Sequence, residues 1–152
     1  MIRSTRTDHV EQHPDEFFAA LFGSPDHMLA WHPHFVAMAP LTPGPMGPGA
    51  RYRVTSTKIG ELVVEVSDYV PGVHYKAGGS TSLGRMDHEY RLSPEGSGTR
   101  IEQTAYFSAQ GWRVLLAPLH LLIARKSVGL QVAAYRSYLG SDAGLAALAG
   151  ER

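Results

Sequence analysis

The chain has 152 residues, 14 basic and 14 acidic side chains, and no cysteine. That length suits one domain with a core of its own, and a hydrophobic fraction of 43% argues against general disorder. The cysteine count excludes disulfides, thiolate metal sites and a cysteine nucleophile, and the neutral charge gives no support to nucleic acid as a partner.

The opening residues Met-Ile-Arg-Ser-Thr-Arg are followed by no apolar run, so no signal peptide is expected, and a cytoplasmic location fits. Ile2 to Gln12 reads as a strand. His13-Pro14-Asp15-Glu16 starts a helix, with proline at the first position and acids in the first turn. Phe17, Phe18, Leu21 and Phe22 form its apolar body, and Gly23 ends it. Ser24-Pro25-Asp26 caps a second short helix that ends at His32-Pro33. Phe35 to Leu41 reads as a strand, and Thr42 to Gly49 as a loop.

From there to Gln110 the period is two, with turn signals about every ten residues. One parity collects Tyr52, Val54 and Ser56, then Leu62, Val64, Val66 and Asp68, then Val73, Tyr75 and Ala77. It continues with Met86, His88, Tyr90 and Leu92, then Ile101, Gln103, Ala105 and Phe107. Gly78 to Gly84 reads as a flexible connection. Helical spacing takes over from Trp112 through Leu119, Ile123 and Leu130 to about Leu139, with Pro118 marking a kink or helix start and Gly140 the end. The stretch Val114 to Ala124 is about half a membrane span and carries Pro118 and His120, so no integral membrane segment is expected. Residues 1–140 form the expected domain, and 141–152 a loosely ordered tail or weak extra turn.

A one-sided antiparallel sheet must cover its apolar face, and the terminal helix is the one element long enough to do so. Seven strongly twisted strands will curl around that helix. The expected fold is therefore α+β, with an internal cavity closed at one end by the two short helices.

Several local patterns carry a family likeness. Val10 to Phe18 is similar to a strand-to-helix opening, Trp31-His32-Pro33 to a "W-x-P" helix end, and Gly47-Pro48-Gly49-Ala50-Arg51 to a glycine turn. Tyr90 to Ile101 is similar to an "L-x-P-x-G-G-T-R" hairpin, and Leu116-Ala117-Pro118-Leu119 to the entry of a last helix. Together, over residues 2–139, the chain resembles the START-like or SRPBCC superfamily, the helix-grip group that includes polyketide cyclase/dehydrases and Bet v 1-like proteins. The resemblance implies a hydrophobic small-molecule ligand. It leaves open aldol cyclisation and dehydration of a polyketide, carriage of a lipid or metabolite without chemistry, and an interaction module like the chaperone activators.

His88 and Tyr90 share the inward parity and are the candidates for catalysis. His88 can move a proton and Tyr90 can hold an oxyanion; equally, both can be core residues bonded to a neighbouring strand. Tyr52, Val54, Val64, Val66, Tyr75, Met86, Gln103 and Phe107 are the expected ligand-binding wall, with Trp112, Leu119 and Ile123 from the last helix and its approach. Gln103 is the best placed of these for a polar contact, because a buried amide needs partners. His27, His32 and His34 cluster around Trp31; Pro33 separates His32 from His34 and no acid lies adjacent to that pair, which fits a loop at the cavity mouth better than a metal site. No metal, no cofactor and no nucleic acid is expected, and oligomeric state is not legible.

Overall fold

A computed structural model describes residues 1–150. β1 (Ile2–Val10) leads into α1 (Pro14–Phe22) and α2 (Pro25–Trp31). Six strands follow: β2 (Phe35–Pro40), β3 (Arg51–Ser56), β4 (Gly60–Val70), β5 (His74–Thr81), β6 (Gly84–Glu95) and β7 (Gly98–Ser108). A 3-10 turn (Gly111–Leu116) precedes α3 (Ala117–Leu139), and α4 (Asp142–Leu148) ends the described chain.

The caps act as their sequences predict. Pro14 and Pro25 stand in the first turns of α1 and α2, and Ser24 Oγ accepts from the His27 backbone N–H at 3.2 Å. The seven strands form one antiparallel sheet in the order β1-β7-β6-β5-β4-β3-β2. β1 and β2 are therefore opposite edges of the sheet. The α1–α2 pair is the covalent link between those edges, so it must span one end of the curled sheet.

That end is plugged with rings. Phe17, Phe18, Leu21 and Phe22 of α1 are all buried. Phe22 stacks on Tyr75 at 4.2 Å between centroids, and Phe18 meets Tyr69 edge-on at 5.0 Å. α3 lies against β1 and β7 through Ala124, Val128, Val132 and Tyr135. It is fastened there by polar contacts. Tyr135 Oη donates to Asp8 Oδ2 at 2.6 Å, and the Arg136 guanidinium adds Nε to Asp8 Oδ2 at 2.9 Å and a second bond to Oδ1. Burial alone would raise the Asp8 carboxyl, but the hydrogen bonds from Arg136 and Tyr135 outweigh it and hold Asp8 below its ordinary value.

Two expectations are corrected. The inward parity assigned to Asp68 fails, because the β4–β5 pairing shifts register between Val66 and Asp68. The extra residue flips the side chains beyond it, so Tyr69 turns inward and donates to the Phe22 carbonyl at 2.8 Å. The glycine-rich stretch after Ala77 is not a loose connection: β5 continues to Thr81. A Cβ at Gly79 would lie 2.3 Å from the Val63 carbonyl oxygen, so strand β4 approaches too closely for any side chain there. The C-terminal tail, expected as loosely ordered or a weak extra turn, carries the short helix α4, capped by Ser141 and packed against α1 and α3. Residues 151–152 of that tail lie outside the described residues.

Candidate functional site

α3 hugs the β1–β7 side of the sheet, and a cavity of about 110 Å³ opens on its other side, against β3 to β6. Phe22, Met28 and Trp31 close its floor from the helical plug, while Leu62, Val64 and Met86 supply apolar wall. Its polar lining comes from His32, His34, His88, Tyr90, Ser127 and Gln131. Lys58 and Ile59, on the β3–β4 turn, stand at its lip. No carboxylate lines it among the described residues, and no group of acids, histidines or cysteines there could hold a metal.

The polar wall is a connected network. Gln103 Nε2 donates to Tyr90 Oη at 2.8 Å and to Gln131 Oε1 at 2.8 Å, and Tyr90 Oη in turn donates to Gln131 Oε1. Gln131 Nε2 then stands 3.5 Å from His88 Nε2, with Ser127 Oγ at 3.4 Å from the same nitrogen. An amide N–H can only donate, so His88 Nε2 accepts and the neutral ring carries its proton on Nδ1. That Nδ1 is buried without a partner among the described residues, as is Gln103 Oε1.

Burial sets the charge state. It pushes His88 down to about 4, against a smaller opposing pull from Asp87. It pushes His32 down to about 3, helped by the like charges of His88 and His34. Tyr90 rises well above its ordinary value, by burial first and then by its neighbours Tyr135 and Tyr75. At neutral pH the cavity therefore presents neutral imidazoles and a neutral phenol, which suits an uncharged ligand group.

Of the residues expected from the sequence, the structure brings Val64, Tyr75, Met86, His88 and Tyr90 to the cavity wall. Gln103 is buried one layer behind, holding Tyr90 and Gln131. Tyr52, Val54 and Val66 are buried in the core without reaching the cavity. Phe107 also misses it, its ring packed 4.4 Å from that of His120. Trp112, Leu119 and Ile123 are corrections: they are 70%, 51% and 37% exposed, because the 3-10 turn and the first turns of α3 present them to solvent.

Sequence reasoning missed the helical half of the site. Ser127 and Gln131 are one turn apart, polar residues beside the apolar stripe Ala124, Val128 and Val132. That interruption was the available signal. The histidine cluster divides. His32 and His34 line the cavity, while His27 turns back to the Ala19 carbonyl at 2.8 Å. His32 stacks on Phe35 at 3.6 Å, and its Nδ1 accepts from the backbone N–H groups of His34 and Phe35 at 3.2 and 3.3 Å. Its ring is therefore held as a cap over the chain reversal, with no metal geometry.

The fold and site can be set beside known proteins. The family described as "Polyketide cyclase / dehydrase and lipid transport" matches residues 1–135. No curated protein sequence matches the chain. Among solved structures it is similar to Ara h 8.0201, with TM-score 0.71, 16% identity, and coverage of 92% of this chain and 99% of that one. It is also similar to TTHA0849 of Thermus thermophilus, with TM-score 0.70, 13% identity, and coverage of 99% and 100%. DynU16, a protein of the dynemicin biosynthetic locus, gives TM-score 0.61 at 18% identity over 93% of this chain but 49% of its own. These likenesses establish the helix-grip fold.

Proposed function

Because the chain belongs to the polyketide cyclase/dehydrase and lipid transport family, whose fold binds hydrophobic ligands, we propose that its cavity takes a small, uncharged, ring-sized apolar molecule. The observation that carries this reading is the pairing of an apolar wall with neutral polar groups and no carboxylate. The size supports it: an apolar cavity of about 150 Å³ accommodates benzene, while drug-sized ligands need about 300 Å³ or more. A space of about 110 Å³ therefore holds one ring or a short chain, and a second fused ring, as in 1-naphthol, or a longer chain extends past Lys58 and Ile59. Fluorescence titration with 1-naphthol tests the reading. One saturable site is expected, and a purely linear, non-saturating response would refute it.

A second reading keeps His88 and Tyr90 as an acid/base and oxyanion pair for aldol closure. Their adjacency on one wall, and the unpartnered His88 Nδ1–H, favour it. Against it, the Tyr90 proton is committed to Gln131, and a ring held near about 4 is a weak base. If this chemistry operates, His88→Ala abolishes turnover of a poly-β-ketone thioester and spares 1-naphthol binding; unchanged turnover removes the role.

A further inference from the structure

An exposed apolar feature that ligand binding does not use lies outside the cavity. The 3-10 turn has no buried residue, and Trp112 and Leu115 are 70% and 83% exposed. Leu119 and Leu122 follow on α3 at 51% and 61%. Leu119 and Leu122 are three apart on α3 and share one of its faces, and Leu115 precedes them in the 3-10 turn. Arg113 Nη1 donates to the Ser82 carbonyl at 2.6 Å and so ties this face to the β5–β6 hairpin, where Leu83 is also exposed. Large apolar side chains exposed in this number within one short segment point to an interaction site.

The charge around it selects the occupant. No aspartate or glutamate occurs from Gln103 to Ser141, whereas Arg113, Arg125 and Lys126 flank the apolar residues. A second copy seated on the same face by a two-fold axis would set these cations against their own equivalents, with no acid on the segment to relieve them. An anionic bilayer complements both parts at once. Leucines and an indole enter the boundary between headgroups and acyl chains, and the cations meet lipid phosphates. None of the described helices is long and apolar enough to cross a membrane, so the contact is peripheral.

We propose that the face built from Trp112, Leu115, Leu119 and Leu122 docks on an anionic lipid surface. The cavity adjoins it: Ser127 and Gln131, farther along the same helix, line its wall, with Lys126 beside them. A docked chain holds the cavity mouth near the headgroups, where an apolar ligand can pass between bilayer and protein. The docking stands on the surface alone; only this purpose rests on the ligand reading.

Flotation of the full chain with phosphatidylcholine vesicles containing roughly one-third phosphatidylglycerol tests the proposal. Binding is expected, weakening with added salt and with pure phosphatidylcholine. The protein has two tryptophans and Trp31 is buried, so a blue shift on binding reports Trp112. The double substitution Leu115→Ser with Leu122→Ser should lower vesicle affinity by roughly tenfold per leucine, with 1-naphthol binding and the melting temperature unchanged. Failure of the native chain to float, or equal flotation after the double substitution, overturns the proposal. A dimer that the double substitution dissolves, in a chain that ignores vesicles, assigns the face to a second copy and overturns it too. Loss of 1-naphthol binding in the native chain would sink the ligand reading and leave the docking result standing.

Discussion

Replacing Ala77 with leucine tests whether the cavity is real space. Ala77 is buried on β5, faces the cavity, and pairs with His88 across the β5–β6 ladder. Leucine adds three carbons, each taking somewhat less than the room of a water molecule, about 30 Å³. About 90 Å³ at most then enters a space of about 110 Å³, so the side chain fits with little left over. Each carbon removed from water stabilises by about 0.8 kcal/mol, which sets an upper limit near 2.4 kcal/mol before rotamer entropy is subtracted. For a chain of this size the melting temperature should rise by up to about 5–10 °C. 1-Naphthol binding should fall at least about tenfold, because the leucine occupies its volume. Were the region packed solid, the same substitution would overpack it at a cost of about 1–3 kcal/mol and the melting temperature would drop. Thermal melts followed by circular dichroism, with and without 1-naphthol, separate the cases. A fall of several degrees would refute the cavity, and unimpaired binding in a stable variant would place the ligand elsewhere.

Two further outcomes follow from the titrating groups. An unfolded histidine titrates near 6.5 and the buried His88 near about 4, so between those values only the unfolded chain takes the proton. Stability should fall as pH drops from 6.5 toward 4, and His88→Gln should shallow that fall, with His32 supplying what remains; parallel slopes in urea titrations would contradict the buried neutral imidazole. Asp8 has linkage of the same sign: its folded value is depressed, so its contribution is present above the unfolded carboxylate range and is lost as pH falls through the folded value. Asp8→Asn should destabilise at neutral pH and converge on the native chain in acid, and a stability difference constant with pH would mean that the bonds to Arg136 and Tyr135 do not depend on the charge.

The elements of this fold were written locally. A proline and two acids start α1, Ser24 starts α2, and alternation marks the strands, because capping and side-chain parity act over a few residues. Alternation also brought His88, Tyr90, Met86, Val64 and Tyr75 to the inner face, since a strand without a bulge keeps its parity from end to end. The rest depended on contacts between segments distant in the chain. A single extra residue in β4 exchanged Asp68 for Tyr69, and nothing in the alternation announced it. The helical period placed Leu119 and Ile123 among apolar neighbours, yet it could not say how far α3 lies from the sheet. That position follows from the Asp8 clamp and the packing on β1 and β7, which leave Ser127 and Gln131 facing a gap and the leading leucines facing outward. A helix carries its pattern in its own sequence, but the axis along which it docks is the sum of many weak contacts made by other residues.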